Sequence, residues 1–116
     1  KTEISMPSVD VEFTFTQDTF NQILKASAVL GVPDVVLKGT AGGDISLTVT
    51  DRKNETSNDF SIVVGENSPN EFTYFFKVEN LKLLSGDYKV QVSSKGISHF
   101  TNMTKSVEYF IALEAS

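Results

Sequence analysis

The 116-residue chain has no cysteine and no tryptophan, one histidine and three prolines. Without cysteine, disulfide scaffolds, thiolate zinc sites and thiol nucleophiles are excluded, and the redox compartment stays open. No apolar run approaches the roughly 18 residues that span a bilayer, and residues 1–10 are too polar for a secretory signal. A soluble chain with no membrane partner is expected. Positive charge is scarce as well: ten Lys plus Arg against fifteen Asp plus Glu leave a net charge of -5. The chain starts at Lys1 instead of methionine, and the expectation is an excised piece of a longer protein.

Catalytic groups are equally thin. His99 is the one histidine, inside an alternating segment and far from any Ser-Asp pair on a Gly-x-Ser-x-Gly elbow. Asp10 with Glu12, and Asp59, are acids at the spacing that a solvated strand face produces by itself. Neither a calcium-loop pattern nor a His-x-x-His cluster is present, so no metal, cofactor or enzymatic activity is expected. Gly39, Gly42 and Gly43 precede another strand and lack the Lys-Ser or Lys-Thr of a phosphate-binding loop, which makes that stretch a turn. Two acceptor patterns for N-glycosylation, at Asn54 and Asn102, carry no weight without a signal peptide.

What is abundant is strand-forming material. Nine Phe and three Tyr, with many Val, Ile and Thr, suit pleated, half-buried surfaces. A chain of this length forms one domain that buries about two thirds of its unfolded surface, with no need of a staple. Residues 9–15 alternate with period two, placing Val9, Val11, Phe13 and Phe15 on one face. The period then becomes helical: Phe20, Ile23, Leu24, Ser27 and Leu30 share a face, Thr16 is the N-cap, and Gly31 and Pro33 end the helix. Asn21, Gln22, Lys25 and Ala28 fall on its opposite, polar face. Strands over 35–38, 44–50, 59–64 and 72–77 read as one antiparallel meander, followed by a second helix over 78–85 ended by Gly86. Three strands, 88–94, 97–103 and 107–114, complete the chain, and the order carries a faint internal repeat of strand, helix and following strands.

Lys25 and Lys82 sit on the polar faces of the two expected helices, while strands and loops hold most of the acid. Glu79, three residues before Lys82, is its simplest pairing partner.

The run Val78-Glu79-Asn80-Leu81-Lys82-Leu83-Leu84-Ser85-Gly86-Asp87-Tyr88-Lys89-Val90 and the ending Tyr109-Phe110-Ile111-Ala112-Leu113-Glu114-Ala115 resemble the C-terminal domain of T-even-type bacteriophage sliding clamps. The segment Phe20-Asn21-Gln22-Ile23-Leu24-Lys25-Ala26-Ser27 is similar to that family's pore-lining helix. The resemblance implies an α+β DNA-clamp domain over 9–116, with antiparallel sheets outside, two helices packed on the inner face, and a remnant of the interdomain connector over 1–8. It implies a non-enzymatic processivity factor for the replicative DNA polymerase, acting in the cytoplasm of the infected bacterium. Its full-length subunits of two such domains form a head-to-tail homotrimeric ring around duplex DNA, and its partners are DNA, the polymerase tail and the clamp loader.

Carried over by position, Lys25 and Lys82 are the inner-wall DNA contacts, with Asn21 and Gln22 as neutral neighbours. Ala28 stands where the family has a second basic residue, which thins the positive stripe. Met6 and Pro7 from the connector, with Phe110 and Ala112 from the last strand, line the expected pocket for a hydrophobic partner tail. One domain cannot supply both head and tail of a ring, so this chain is expected to be monomeric and to bind DNA weakly. The competing reading is a structural or adhesive β-rich domain of a virion or surface protein; a four-turn helix directly after the first strand argues against it.

Overall fold

The computed structural model describes residues 8–51, 53, 59–66, 68 and 70–114. Alternation dictates the first strand, β1 (Val11–Phe15), in which Val11, Phe13 and Phe15 are buried and Glu12 and Thr14 are exposed. The switch to helical spacing gives α1 (Gln17–Leu30), which buries Phe20 and Ile23. Then come β2 (Asp34–Gly39), β3 (Ile45–Thr50), β4 (Phe60–Gly65) and β5 (Phe72–Lys77), a single 3-10 turn over Val78–Leu81, and β6 (Tyr88–Ser93), β7 (Ile97–Asn102) and β8 (Glu108–Ala112). The molecule is α+β, with two four-stranded antiparallel sheets ordered β1-β6-β7-β8 and β4-β3-β2-β5.

That order realises the internal repeat in an exchanged form. Strand, helical element and three strands occur twice, and each sheet holds the last three strands of one unit plus the first strand of the other. The buried pair Phe20 and Ile23 on α1 is matched by Val78 and Leu81 on the 3-10 turn, with the same spacing.

Two expectations are corrected. The strands from 35 to 77 are no simple meander, because β5 returns to pair with β2, aligning Val35 with Phe76 and Leu37 with Tyr74. The cause is β2 itself: Val35, Val36 and Leu37 are buried in succession, the mark of a central strand needing a neighbour on each side. The second helix is also absent as such; α1 is the one α-helix among the described residues, and only Val78–Leu81 makes a helical turn. That turn has no side-chain N-cap. Beyond it the backbone of Leu84 is held by tyrosines: Tyr88 Oη donates to its carbonyl at 2.7 Å and its N–H donates to Tyr109 Oη at 3.3 Å. Leu84 is left half-exposed, so a helix continuing to Ser85 would have gained little apolar burial.

One core joins both sheets and the helix. Phe100 sits at its centre, edge-on to Phe15, Phe76 and Tyr88 at 6.2–6.4 Å between ring centroids, and Phe15 meets Phe20 of α1 at 5.5 Å. Beyond β8, the N–H of Glu114 donates to the Phe75 carbonyl at 2.8 Å, tying the end of one sheet's last strand to β5 of the other. Lys77 meets the buried carboxylate of Asp34 at 3.0 Å, where β2 and β5 align.

Candidate functional site

Helix α1 is fixed at both ends by local chemistry. Thr16 is extended and its hydroxyl accepts from the N–H of Thr19, while Gly31 takes a left-handed φ of 68° and donates to the Ser27 carbonyl. A residue with a Cβ is disfavoured in that conformation, which makes Gly31 the physical stop. With Phe20 and Ile23 pointed into the core, the solvent ridge is left to Asp18, Asn21, Lys25, Ala28 and Val29. Val29 is 75% exposed, an apolar residue at the end of a polar ridge.

The structure places the four residues assigned to DNA on or beside this helix. Lys25 and Asn21 are exposed on the ridge, and Gln22 is half-buried on its flank. Lys25, Gln22, Ala26, Val29, Asp59 and Phe60 are among the residues lining a groove of about 390 Å³ between α1 and the start of β4. Lys82 lines a separate groove of about 330 Å³ with Ser27, Pro33, Lys77, Val78 and Glu79. The two lysines thus line different grooves, each walled in part by α1. Among the described residues neither forms an ion pair; Lys82 and Glu79 share a groove wall only. Asn21 and Gln22 are each tied along the helix: Gln17 Nε2 donates to Asn21 Oδ1 and Gln22 Nε2 donates to Asp18 Oδ2, both at 2.9 Å.

Of the expected partner pocket, Met6 and Pro7 lie outside the described residues. Phe110 and Ala112 occupy the outward face of β8, while Tyr109, Ile111 and Leu113 turn to the core. Phe110 is covered by the His99 ring, parallel within 2° at 4.3 Å. His99 belongs to a row of polar side chains crossing the sheet. Its Nε2 lies 2.6 Å from Glu108 Oε1 and its Nδ1 3.3 Å from Gln91 Oε1, and Gln91 Nε2 donates to Glu12 at 2.9 Å. Thr101 Oγ1 lies 3.3 Å from the same Nε2, and the row as a whole is a network of polar side chains on the outward face of the sheet.

Sequence reasoning missed a third groove, of about 310 Å³, where Tyr74 and Phe75 of β5 face Ser94, Gly96 and Leu113. The pairing of Glu114 with Phe75 brings these segments together, and no local pattern encodes it. The chain reaches the described region beside this groove. Ser8 Oγ lies 2.9 Å from Ser93 Oγ, and Asp10 Oδ2 accepts from the Ser94 N–H at 2.7 Å and from Ser8 Oγ at 3.0 Å. The Ser94 N–H, and then Ser8, hold the Asp10 carboxyl below its ordinary range. Burial pushes the Tyr74 phenol up, and the Asp10 charge adds to the effect.

The comparisons with known proteins agree with this architecture. The family model described as gp45 sliding clamp, C terminal, matches residues 9–115. The sliding clamp of Vibrio phage KVP40 is 41% identical over 106 residues, covering 90% of this chain and 47% of that protein. The chain thus spans about half the length of the relative it matches. A match running from the first strand past the last leaves no room for the adhesive reading: the chain belongs to the gp45 sliding clamp C-terminal family.

Proposed function

We propose that this domain is the C-terminal half of a phage sliding-clamp subunit, a non-enzymatic processivity factor that tethers a replicative DNA polymerase to duplex DNA in the infected host's cytoplasm. In the full-length protein, residues 1–8 belong to the connector between two such domains, and three subunits close head to tail into a ring. A sliding tether must hold DNA without reading it, so weak phosphate contacts on one wall suit it better than base contacts. The observation that carries the reading is the position of Lys25 and Lys82, both exposed, each on a groove walled in part by α1, and outside any ion pair among the described residues. An overall charge of -5 keeps the remaining surface from competing for DNA.

Two phosphate contacts give a shallow salt dependence, a slope of about -2 in log K against log salt. Duplex binding measured by fluorescence anisotropy at low salt should show that slope, and Lys25→Gln or Lys82→Gln should each reduce it by about 1. An unchanged slope in both variants would reject the assignment.

Partner tails of hydrophobic character, from the polymerase and the clamp loader, dock in this reading at the C-terminal end of β8. Phe110 and Ala112 supply one wall there, with Met6 and Pro7 of the connector, and the groove of Tyr74, Phe75 and Leu113 opens nearby. Ala112 is exposed, so Ala112→Trp should weaken binding of a polymerase-tail peptide while leaving the thermal transition in place. Equal peptide affinity in both forms would remove Ala112 from the site.

A further inference from the structure

Asn21 and Gln22 are adjacent and chemically alike, yet their hydrogen bonds orient them oppositely. The backbone N–H of Gly86 can only donate, and it donates to Gln17 Oε1. Gln17 must therefore turn its Nε2 toward Asn21, where it donates to Oδ1 at 2.9 Å. Asn21 is left with its Nδ2 donors directed away from the helix start, on the same ridge as Lys25 one turn later. Gln22 meets the Asp18 carboxylate, which can only accept, and gives it Nε2 at 2.9 Å. Its carbonyl is thereby turned away from Asp18, and its remaining N–H stays on the amide nitrogen that already serves the Asp18 charge.

A phosphate oxygen accepts hydrogen bonds and repels both a carbonyl and a carboxylate. We propose that Asn21 donates to the DNA backbone alongside Lys25, that Gln17 is the positioning residue that keeps its donors outward, and that Gln22 makes no phosphate contact. The lock reaches beyond α1. Gln17 is itself held by the segment ahead of β6, through Gly86 and through Asp87 Oδ1, which accepts from the Gln17 N–H at 2.8 Å. This inference rests on the DNA-facing reading of α1 and divides two residues that position alone grouped together.

The test combines affinity for a short duplex at low salt with the side-chain amide resonances of the whole chain in nitrogen-resolved NMR. Asn21→Ala should lower affinity about threefold, the loss of one hydrogen bond, and Gln22→Ala should not lower it. On adding duplex, the Asn21 Nδ2 protons should shift while those of Gln22 Nε2 stay in place. Gln17→Glu presents a carboxylate that still accepts from Gly86 but can only accept from Asn21, so the Asn21 amide should turn over and lose its response to DNA. Retained hydrogen-exchange protection of the Gly86 amide would verify that the variant keeps its local fold. Equal losses for Asn21→Ala and Gln22→Ala, or an undiminished Asn21 response in folded Gln17→Glu, would overturn the proposal. A loss of affinity in Lys25→Gln with none in Asn21→Ala would sink this assignment alone; no loss in either would sink the DNA-facing reading with it.

Discussion

Single side chains here do more structural work than their types announce. Asp10 is only partly buried, yet it pins the start of β1 to the Ser93–Ser94 turn by accepting from the Ser94 N–H, with the Ser8 hydroxyl as a second donor. Its folded-state pKa is depressed, so its stabilisation is complete above the unfolded carboxylate value of about 3.9 and fades as pH falls through the folded value. Thermal melts of the wild type and Asp10→Asn should therefore differ at neutral pH and converge in acid; a constant gap would assign the effect to shape. Gly39 carries a steric constraint: a Cβ there would sit 2.5 Å from the Phe72 ring and 2.9 Å from Ser68 Oγ. Gly39→Ala should cost about 1–3 kcal/mol in denaturant unfolding. Asn102 heads a glycosylation pattern in the sequence, but it is buried, accepting from the N–H groups of Thr104 and Lys105 and donating to the Ser85 carbonyl. Such roles were not legible, because the partners of Asp10, Gly39 and Asn102 lie 17 to 84 positions away or in turns whose geometry the residue names do not encode.

Elements differ in how much of their outcome is local. α1 was legible, since its cap, buried pair and left-handed stop all lie within it or next to it. Thr16→Ala should cost about 1 kcal/mol as the Thr19 N–H loses its acceptor. Ile23→Ala, at a fully buried position, should cost about 2–5 kcal/mol, and chemical unfolding should rank the two in that order. The second helix was misread for the opposite reason. Val78, Leu81 and Leu84 have helical spacing, but Leu84 has its backbone claimed by Tyr88 and Tyr109, the second of them 25 positions on. Each strand was found within a few residues of its place, because period-two alternation is a property of the segment itself; which strands pair was hidden, because pairing is a property of two segments. Lys25, Asn21 and Gln22 could be placed on one face of α1 from spacing alone. Their opposite hydrogen-bonding polarity depends on Gly86 and Asp18, and only the structure supplies it.

Across the whole molecule, the exchange of first strands between two similar units makes each half depend on the other for a complete sheet. Neither unit closes its core alone, since Phe100 of one packs on Phe15 and Phe76 in strands drawn from both. Loss of structure should accordingly be cooperative, with far-ultraviolet dichroism and aromatic near-ultraviolet signals melting together. The same architecture separates side-chain chemistry by surface. The outer sheet faces carry hydroxyls and paired charges, such as Thr48 with Ser61 and Lys89 with Glu12, whereas Lys25 and Lys82 line the two grooves that α1 helps to wall. Which surface meets DNA is the point on which everything functional turns. It can be read from paramagnetic broadening of the chain's backbone amides by a nitroxide-labelled duplex at low salt. The helix reading requires broadening at Asn21, Lys25, Ala28 and Lys82, with Thr48 and His99 left sharp. Broadening centred on Thr48 or His99, or none on α1 at a salt concentration where binding is detected, would contradict it.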